Sequence, residues 1–265
     1  MTSAPLPPAA LDDAFALATH SYIFLIGGGG KTTLMFTLAH HLSRAGHTVI
    51  STTSTRILYP SPQDAARVII EAAPARAATQ LRSELPEARH IALAKTLCNA
   101  DRKLCGHAAD ELDALRQAHV AHYILVEADG AAGRSLKAHA DHEPVISTQA
   151  DLVIAVIGTD CIGHPLDDAH VHRAARFAQL LNRAIGAPLA PDDVAAIFFH
   201  PLGYLKAVPP AADLIVLLSK AGVAAQRANA PQLATALRAA DHDKRIARIV
   251  LGELAGPHPF VERIP

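Results

Sequence analysis

The sequence predicts an α/β fold, a three-layer sandwich with a mostly parallel sheet between two layers of helices. A short apolar segment at 22–26 leads through four glycines into a helical pattern. Further along the chain, apolar segments of strand length alternate with segments of helical periodicity. No internal repeat or low-complexity linker interrupts this alternation. We therefore expect a leader with a short helix at 1–20 and a single domain at 21–265.

The glycine-rich segment predicts a phosphate-binding loop. Four glycines come directly before a lysine and two threonines: Gly27, Gly28, Gly29, Gly30, Lys31, Thr32 and Thr33. Glycines allow backbone N–H groups to converge on an anion, and the start of the next helix adds a positive end. Lys31 is expected to reach the terminal phosphates and Thr32 to bind Mg²⁺. Leu25 stands where the longer P-loop motif has its first glycine, so the pattern fits the short form G-x-x-G-K-T-T of Mur-ligase-like ATPases. The predicted three-layer sandwich is therefore expected to be P-loop NTPase-like.

Two other strands end in side chains suited to a bound metal–nucleotide complex. One apolar strand ends in Glu127 and Asp129, which share a face because strand side chains repeat every second residue. This is the Walker B pattern, in which a carboxylate holds Mg²⁺ or orients the attacking water. Thr52 and Thr53 directly follow the second predicted strand and are expected to bind Mg²⁺ directly or through water, although threonine is also common in strands generally. The predicted catalytic residues are Lys31, Glu127 and Asp129, and the predicted metal ligands are Thr32, Glu127 and Asp129.

The rest of the chain follows the same alternation. Further strands are predicted at 48–51, 67–71, 90–95, 151–157, 213–218 and 246–251, and further helices at 11–20, 74–85, 108–118, 166–181, 192–199 and 232–239. The helix after the glycine loop should end near Gly46, where a glycine follows basic charge. Residues 101–106 are predicted as a loop, and the stretch around 160–210 as a helical insertion that caps the site.

Composition excludes several classes of protein. The 265 residues carry a net charge of −1, with no basic excess and no Trp, so no nucleic-acid partner is expected. No segment has the length of a membrane span, and the N-terminus does not read as a signal peptide. Cys98, Cys105 and Cys161 form no C-x-x-C pair. We therefore expect neither a disulfide framework nor a zinc ribbon, and a cytoplasmic location.

The predicted strand at 213–218 is followed by a segment in the position of the Asn-Lys-x-Asp motif with which GTPases bind guanine. Ser219 and Gly222 replace the Asn and the Asp of that motif. The N–H groups of guanine would therefore lack their carboxylate acceptor. This departure favours ATP over GTP as the nucleotide.

Seven segments, in order along the chain, carry a resemblance to a known family. They lie at 25–33, 51–56, 103–106, 125–130, 142–145, 171–173 and 200–203. Together they resemble the YqeC family, accessory proteins of selenium-dependent molybdenum hydroxylases, over about residues 20–222. The sequence Val-Glu-Ala-Asp-Gly at 126–130, followed by His-Glu-Pro-Val, is the most distinctive part of this resemblance.

The resemblance implies a cytoplasmic P-loop protein that helps to mature a molybdenum enzyme with a labile selenium centre. Carried over by position, it implies a site made of Lys31, Thr32, Glu127, Asp129, Lys137, Glu143, His172 and His200. Lys103, His142 and Arg173 lie in the same segments and complete the predicted substrate set, although a solvated loop lysine is the simpler interpretation of Lys103. The ligand of this set would be a selenium- or pterin-bearing cofactor or the client enzyme. The charged loop at 133–144 also favours contact with a substrate, because it follows the acidic strand directly.

Three functions remain open from the sequence. The first is a nucleotide-hydrolysing or nucleotide-transferring maturation factor. The second is a Mur-type ligase that activates an acid as an acyl phosphate, for which 265 residues leave little room. The third is a nucleotide-gated chaperone without catalysis of its own.

Overall fold

The computed structural model describes residues 8–98, 102–255 and 259–264, so the first seven residues of the leader predicted at 1–20 lie outside it. The α-helices are α1 Pro8–Phe15, α2 Lys31–Arg44, α3 Pro74–Ala88, α4 Ala109–Gln117, α5 Ala174–Leu181, α6 Pro191–Phe199 and α7 Ala224–Ala240. Short 3-10 helices lie at Leu17–Thr19, Thr159–Cys161 and Tyr204–Ala207. The strands are β1 Tyr22–Gly27, β2 Val49–Thr53, β3 Arg56–Leu58, β4 Val68–Ile70, β5 His90–Ala94, β6 Thr96–Cys98, β7 Lys103–Cys105, β8 Tyr123–Glu127, β9 Leu136–Lys137, β10 Leu152–Gly158, β11 Val171–His172, β12 Asp213–Ser219, β13 Ile246–Glu253 and β14 Phe260–Ile264.

The main sheet has nine strands in the order β14-β13-β12-β10-β1-β8-β2-β5-β4. All neighbouring strands are parallel except β14, which runs antiparallel to β13. The structure thus confirms the α/β class and the mostly parallel sheet. β1 lies at the centre, and later strands extend the sheet on both of its sides. Ligands of such sheets bind beyond the carboxyl ends of the strands at this kind of reversal, which is where the glycine loop follows β1.

Alternate residues of β1 bury their side chains on opposite faces of the sheet. Tyr22, Phe24 and Ile26 pack with buried residues of α3, α4, α5, α6 and α7. Ile23 and Leu25 pack with buried residues of α1 and α2. The strand is therefore covered on both sides, as its continuous apolar sequence requires. Among the described residues, no helix is long and apolar enough to cross a membrane.

A small second sheet corrects the loop prediction at 101–106. β3, β7 and β6 form an antiparallel sheet, with Leu104 of β7 fully buried. Strands of three residues are too short to show a period, so the sequence pattern could not reveal them. Cys98 and Cys105 form a disulfide across β6 and β7, so the expectation of no disulfide is wrong for this pair.

The stretch at 160–210 contains α5 and α6, but the single helix predicted at 166–181 is wrong in its first half. Residues 171–172 form β11, which pairs with β9 through His172 and Lys137. Arg173 then takes a left-handed conformation with φ of 64°, and α5 begins only after it. α7 starts eight residues before the predicted helix at 232–239, because its alanine-rich first turns continue through Pro231. The other predicted strands and helices are confirmed within a few residues of their ends.

Candidate functional site

A cavity of about 840 Å³ opens beside the glycine loop. One part of its lining, which we call the loop wall, consists of Gly29, Gly30, Lys31, Thr32, Thr33 and Glu127. A second part, the basic wall, consists of Arg56, Lys103, Arg134, His142, His172 and Arg173. The volume of the whole cavity lies in the upper part of the usual range for small-molecule sites, about 300–1,000 Å³.

The glycines of the loop are required by close backbone contacts. Gly27 has φ of 95°, and a Cβ there would lie 2.3 Å from the carbonyl oxygen of Val156. A Cβ on Gly28 would lie 2.5 Å from the carbonyl oxygen of Arg134. Only residues without a side chain fit these positions, so the loop packs directly on the backbone of β10 and of the segment after β8.

Hydrogen bonds from three sides hold the loop. The N–H of Gly28 donates to Val156 O at 2.9 Å, and the N–H of Gly29 donates to Arg134 O at 2.8 Å. The hydroxyl of Ser219, at the end of β12, donates to Gly29 O at 2.6 Å. The first bond within α2 comes from Leu34, so the N–H groups of residues 31–33 have no acceptor inside the helix. These N–H groups lie at the positive end of α2, where an anion is stabilised.

Thr32 and Glu127 meet at the cavity. The Thr32 hydroxyl donates to Glu127 Oε2 at 2.6 Å, and Lys31 Nζ lies 3.8 Å from Glu127 Oε1. Burial raises the pKa of the Glu127 carboxyl above its ordinary value, although Lys31 and Thr32 oppose that shift. A hydroxyl and a carboxylate oxygen side by side are the ligands Mg²⁺ takes from protein when phosphates and water supply the rest. Within the described part of the chain, no three His, Cys, Asp or Glu side chains are grouped to hold a metal by themselves.

Asp129 lies beneath the loop and is fully buried. Its carboxylate accepts the N–H of Gly27 at 2.9 Å and pairs with Lys31 at 3.0 Å. It also contacts His139 Nε2 at 2.6 Å and Lys137 Nζ at 3.4 Å. Burial favours the neutral acid, but Lys31 and Lys137 prevail and hold the pKa of Asp129 well below its usual range. Asp129 does not line the cavity, and the contacts place it as an anchor for the loop and for Lys31.

A chain of ion pairs joins the two walls through Asp129. Lys137 is fully buried and lies 2.8 Å from Glu143 Oε2. Glu143 in turn accepts from Arg173 Nη1 of the basic wall at 2.7 Å. Burial lowers the pKa of the Lys137 ammonium. At Glu143 burial acts to raise the pKa of the carboxyl, but Arg173 and Lys137 outweigh it and lower that pKa to about 2. The sequence Lys31–Asp129–Lys137–Glu143–Arg173 is therefore one continuous set of alternating charges.

The threonines of β2 are engaged by the backbone. Thr52 donates to Leu93 O at 2.8 Å and Thr53 donates to Glu127 O at 2.7 Å, and both residues are fully buried. Ser54 and Thr55, which follow them, line the cavity instead. Both threonine hydroxyls thus donate to backbone carbonyls, and neither residue lines the cavity, so Thr52 and Thr53 are not placed to bind Mg²⁺ as the sequence predicted.

The predicted substrate residues divide into two groups. Five of them line the cavity: Lys103, His142, Glu143, His172 and Arg173. Lys137 is buried behind it, within the chain of ion pairs. His200 is not part of the lining, and its Nδ1 accepts the N–H of Leu202 in the turn after α6. That turn leads to Tyr204, whose ring lies against Gly27 and His139.

Arg56 and Arg134 line the cavity and were not among the predicted site residues. The sequence held a signal for each, because Arg56 comes three residues after the end of β2 and Arg134 stands in the charged loop that follows β8. Arg134 also contributes the carbonyl that accepts from Gly29, so its position is tied to the loop.

The turn after β12 supports the loop through Ser219. Lys220 donates to the hydroxyl of Ser135 at 2.6 Å and pairs with Asp160 at 3.1 Å. The carboxylate of Glu253 lies beside Gly222 and accepts the N–H groups of Gly222 and Ala255, both at 3.0 Å.

Comparison with known proteins identifies the family. A sequence model of the YqeC protein matches residues 23–175, which include the glycine loop and both Glu127 and Asp129. The uncharacterized protein YqeC of Escherichia coli (strain K12) is 34% identical over 204 residues, which cover 77% of this chain and 77% of that protein. These matches confirm the resemblance seen in the sequence, and the chain belongs to the YqeC family.

Proposed function

We propose that this protein binds a magnesium–nucleoside triphosphate in the cavity, with ATP favoured, and hydrolyses it or transfers part of it. The observation that carries the proposal is the contact of Thr32 with Glu127 at 2.6 Å, next to the glycine loop. It brings together the hydroxyl, the carboxylate and the free N–H groups that a metal-bound triphosphate requires.

Each part of the loop wall has a role in this proposal. The N–H groups of residues 31–33 bind phosphate oxygens at the positive end of α2. Lys31 leaves Asp129 and Gly27 O, its present partners, to bind the terminal phosphates. Thr32 and Glu127 hold Mg²⁺, which neutralises charge on the phosphates when it is bound. Asp129 keeps the loop in place through the N–H of Gly27.

ATP is favoured because position 222 bears no acidic side chain to accept the N–H groups of guanine. The neighbouring Glu253 carboxylate already accepts two backbone N–H groups. The further role, maturation of a selenium-dependent molybdenum hydroxylase or of its cofactor, is supported by the family resemblance alone.

Calorimetric titration with ATP, GTP and Mg²⁺ tests the binding proposal. Lys31→Ala removes the cation expected on the phosphates, so affinity should fall by about a hundredfold, equivalent to roughly 3 kcal/mol. Lys244→Ala, which changes an exposed lysine outside the cavity, should leave affinity unchanged. Equal affinities in the two variants would contradict the proposal.

Glu127→Gln separates catalysis from binding. The amide keeps the size of the side chain but is a much poorer ligand for Mg²⁺, so phosphate release should be lost in a coupled assay. Turnover that survives this change would mean that Glu127 has no hydrolytic role. A wild-type protein that binds nucleotide without turnover would indicate a nucleotide-gated chaperone instead.

A further inference from the structure

The cavity is far more positive than the protein as a whole. The chain has a net charge of −1, whereas the cavity lining has five Lys and Arg side chains and only two acidic ones, Glu127 and Glu143. His142 and His172 add two more basic groups. Positive charge concentrated in one cavity raises the local concentration of anions.

A nucleotide does not account for this excess. Lys31, the start of α2 and a metal at Thr32 and Glu127 are the groups that would neutralise a triphosphate. All of these belong to the loop wall. Four permanent cations, Arg56, Lys103, Arg134 and Arg173, remain in the basic wall.

The arginines of the basic wall have hydrogen-bonding capacity left for a ligand. Arg56 is exposed, and in the described residues its guanidinium has no hydrogen bond or ion pair. Arg134 donates from Nε and Nη1 to the carbonyls of Asp168 and Ala132. Arg173 donates from Nη1 to Glu143 and to Ala138 O. Each guanidinium therefore keeps at least one N–H group for an oxyanion, the group that Arg recognises best.

Apolar side chains lie next to these cations. Ile57, Leu58 and Val145 line the same cavity, and Leu58 is 65% exposed. An inorganic ion would not use these surfaces, whereas a small organic molecule with an anionic group would. The cavity volume of about 840 Å³ leaves space for such a molecule beside the phosphates of a nucleotide.

We propose that the basic wall binds a second small-molecule ligand, an organic phosphate or carboxylate, alongside the nucleotide. Arg56 and Arg134 bind its oxyanion, and Ile57 and Leu58 contact its apolar part. The inference rests on the proposed function for the identity of the first ligand. It makes the cavity a two-ligand site rather than a site for nucleotide and water alone.

Anion titration of the nucleotide-loaded protein tests this inference. The protein is saturated with Mg²⁺ and adenylyl imidodiphosphate and titrated in a calorimeter with inorganic phosphate or, separately, with succinate. We expect saturable binding of at least one anion, and the anion that binds identifies the class of ligand. Arg56→Gln should weaken it about fivefold, the upper range for an exposed ion pair. Arg44→Gln, an exposed arginine on α2 outside the cavity, should change it by less than about twofold.

The inference is overturned if neither anion binds, or if Arg56→Gln and Arg44→Gln bind equally well. The same titrations on Lys31→Ala without nucleotide separate this result from the proposed function. If the wild-type protein binds no nucleotide, but Lys31→Ala still binds an anion and loses this binding when Arg56→Gln is added, only the proposed function is overturned. Nucleotide binding without any anion binding would overturn only the second ligand.

Discussion

The two walls of the cavity differ in composition, because the loop wall is mainly backbone and the basic wall is made of side chains. The loop wall consists mainly of backbone, fixed by glycine contacts, buried hydrogen bonds and the Asp129 carboxylate beneath it. The basic wall consists of long side chains on β3, β7, β11 and connecting segments, and Arg56 and His142 are exposed. The shape of the loop wall is therefore set by folding, whereas the exposed side chains of the basic wall can change rotamer.

This contrast predicts different responses to substitution. Changes in or under the loop wall should lower the free energy of unfolding, because the same contacts that shape the loop also stabilise the fold. Changes at exposed positions of the basic wall should alter binding and leave stability unchanged. Glu143 lies between these cases, since it is buried but pairs with Arg173 of the basic wall.

The largest effect is expected for Asp129→Asn. The change removes the buried charge that pairs with Lys31 and Lys137, and should lower the free energy of unfolding by about 4 kcal/mol in urea titrations. Asp151→Asn is the matched control, because Asp151 accepts the N–H of Tyr22 at the other end of β1 but is 26% exposed. That change should lower the unfolding free energy by only about 1 kcal/mol. Equal losses of unfolding free energy in the two variants would mean that the burial of Asp129 under the loop does not increase its contribution to stability.

Gly27→Ala should have the next largest effect. Gly27 and Gly46 both have positive φ, 95° and 93°, but a Cβ at 46 meets nothing within 4 Å. Gly46→Ala should therefore show backbone strain alone, about 1 kcal/mol. Gly27→Ala adds the contact with Val156 O and should lose about 2 kcal/mol more, together with nucleotide affinity. Similar unfolding midpoints and slopes for the two variants would contradict this account of the loop.

The smallest effect is expected from Glu143 as the pH is lowered. Its folded-state pKa, about 2, lies below the ordinary 4.5, so the unfolded chain takes up the proton first. The resulting stabilisation is present above pH 4.5 and is lost as the pH falls towards 2. It should account for about 2 kcal/mol of the loss between pH 5 and pH 3. Glu143→Gln should remove this part of the pH dependence of unfolding, whereas Glu262→Gln, at an exposed position, should retain it.

Local sequence could predict the loop wall, but it could not predict that Asp129 supports the loop from below. The strand, the glycines and the helix of 22–44 are one continuous segment, so their chemistry was readable directly. Asp129 was assigned to the metal because a strand would place it on the face of Glu127. β8 ends at Glu127, however, and the chain then turns so that Asp129 lies under Gly27. Both carboxylates approach Lys31, but only Glu127 reaches Thr32 and the cavity.

The basic wall was harder to predict because it is assembled from distant parts of the chain. Arg56 comes from β3, whose three residues carry no periodic signal. His200 was assigned to the site from its motif, but the motif shapes the turn that brings Tyr204 to Gly27. Gly203 is needed there, because a Cβ would lie 1.9 Å from Ile197 O.

The chain of ion pairs from Lys31 to Arg173 has a thermodynamic consequence for the two proposed ligands. A triphosphate that draws Lys31 away from Asp129 would leave Lys137 as the lysine paired with that carboxylate. The ion pair of Lys137 with Glu143 would then weaken, and the ion pair of Arg173 with Glu143 would strengthen. Arg173 would then bind a second anion more weakly for as long as the nucleotide is bound. Because such coupling is reciprocal, an anion on Arg173 would in turn alter nucleotide affinity by the same factor. The buried carboxylate beneath the loop thereby becomes the point at which occupancy of one half of the cavity is communicated to the other.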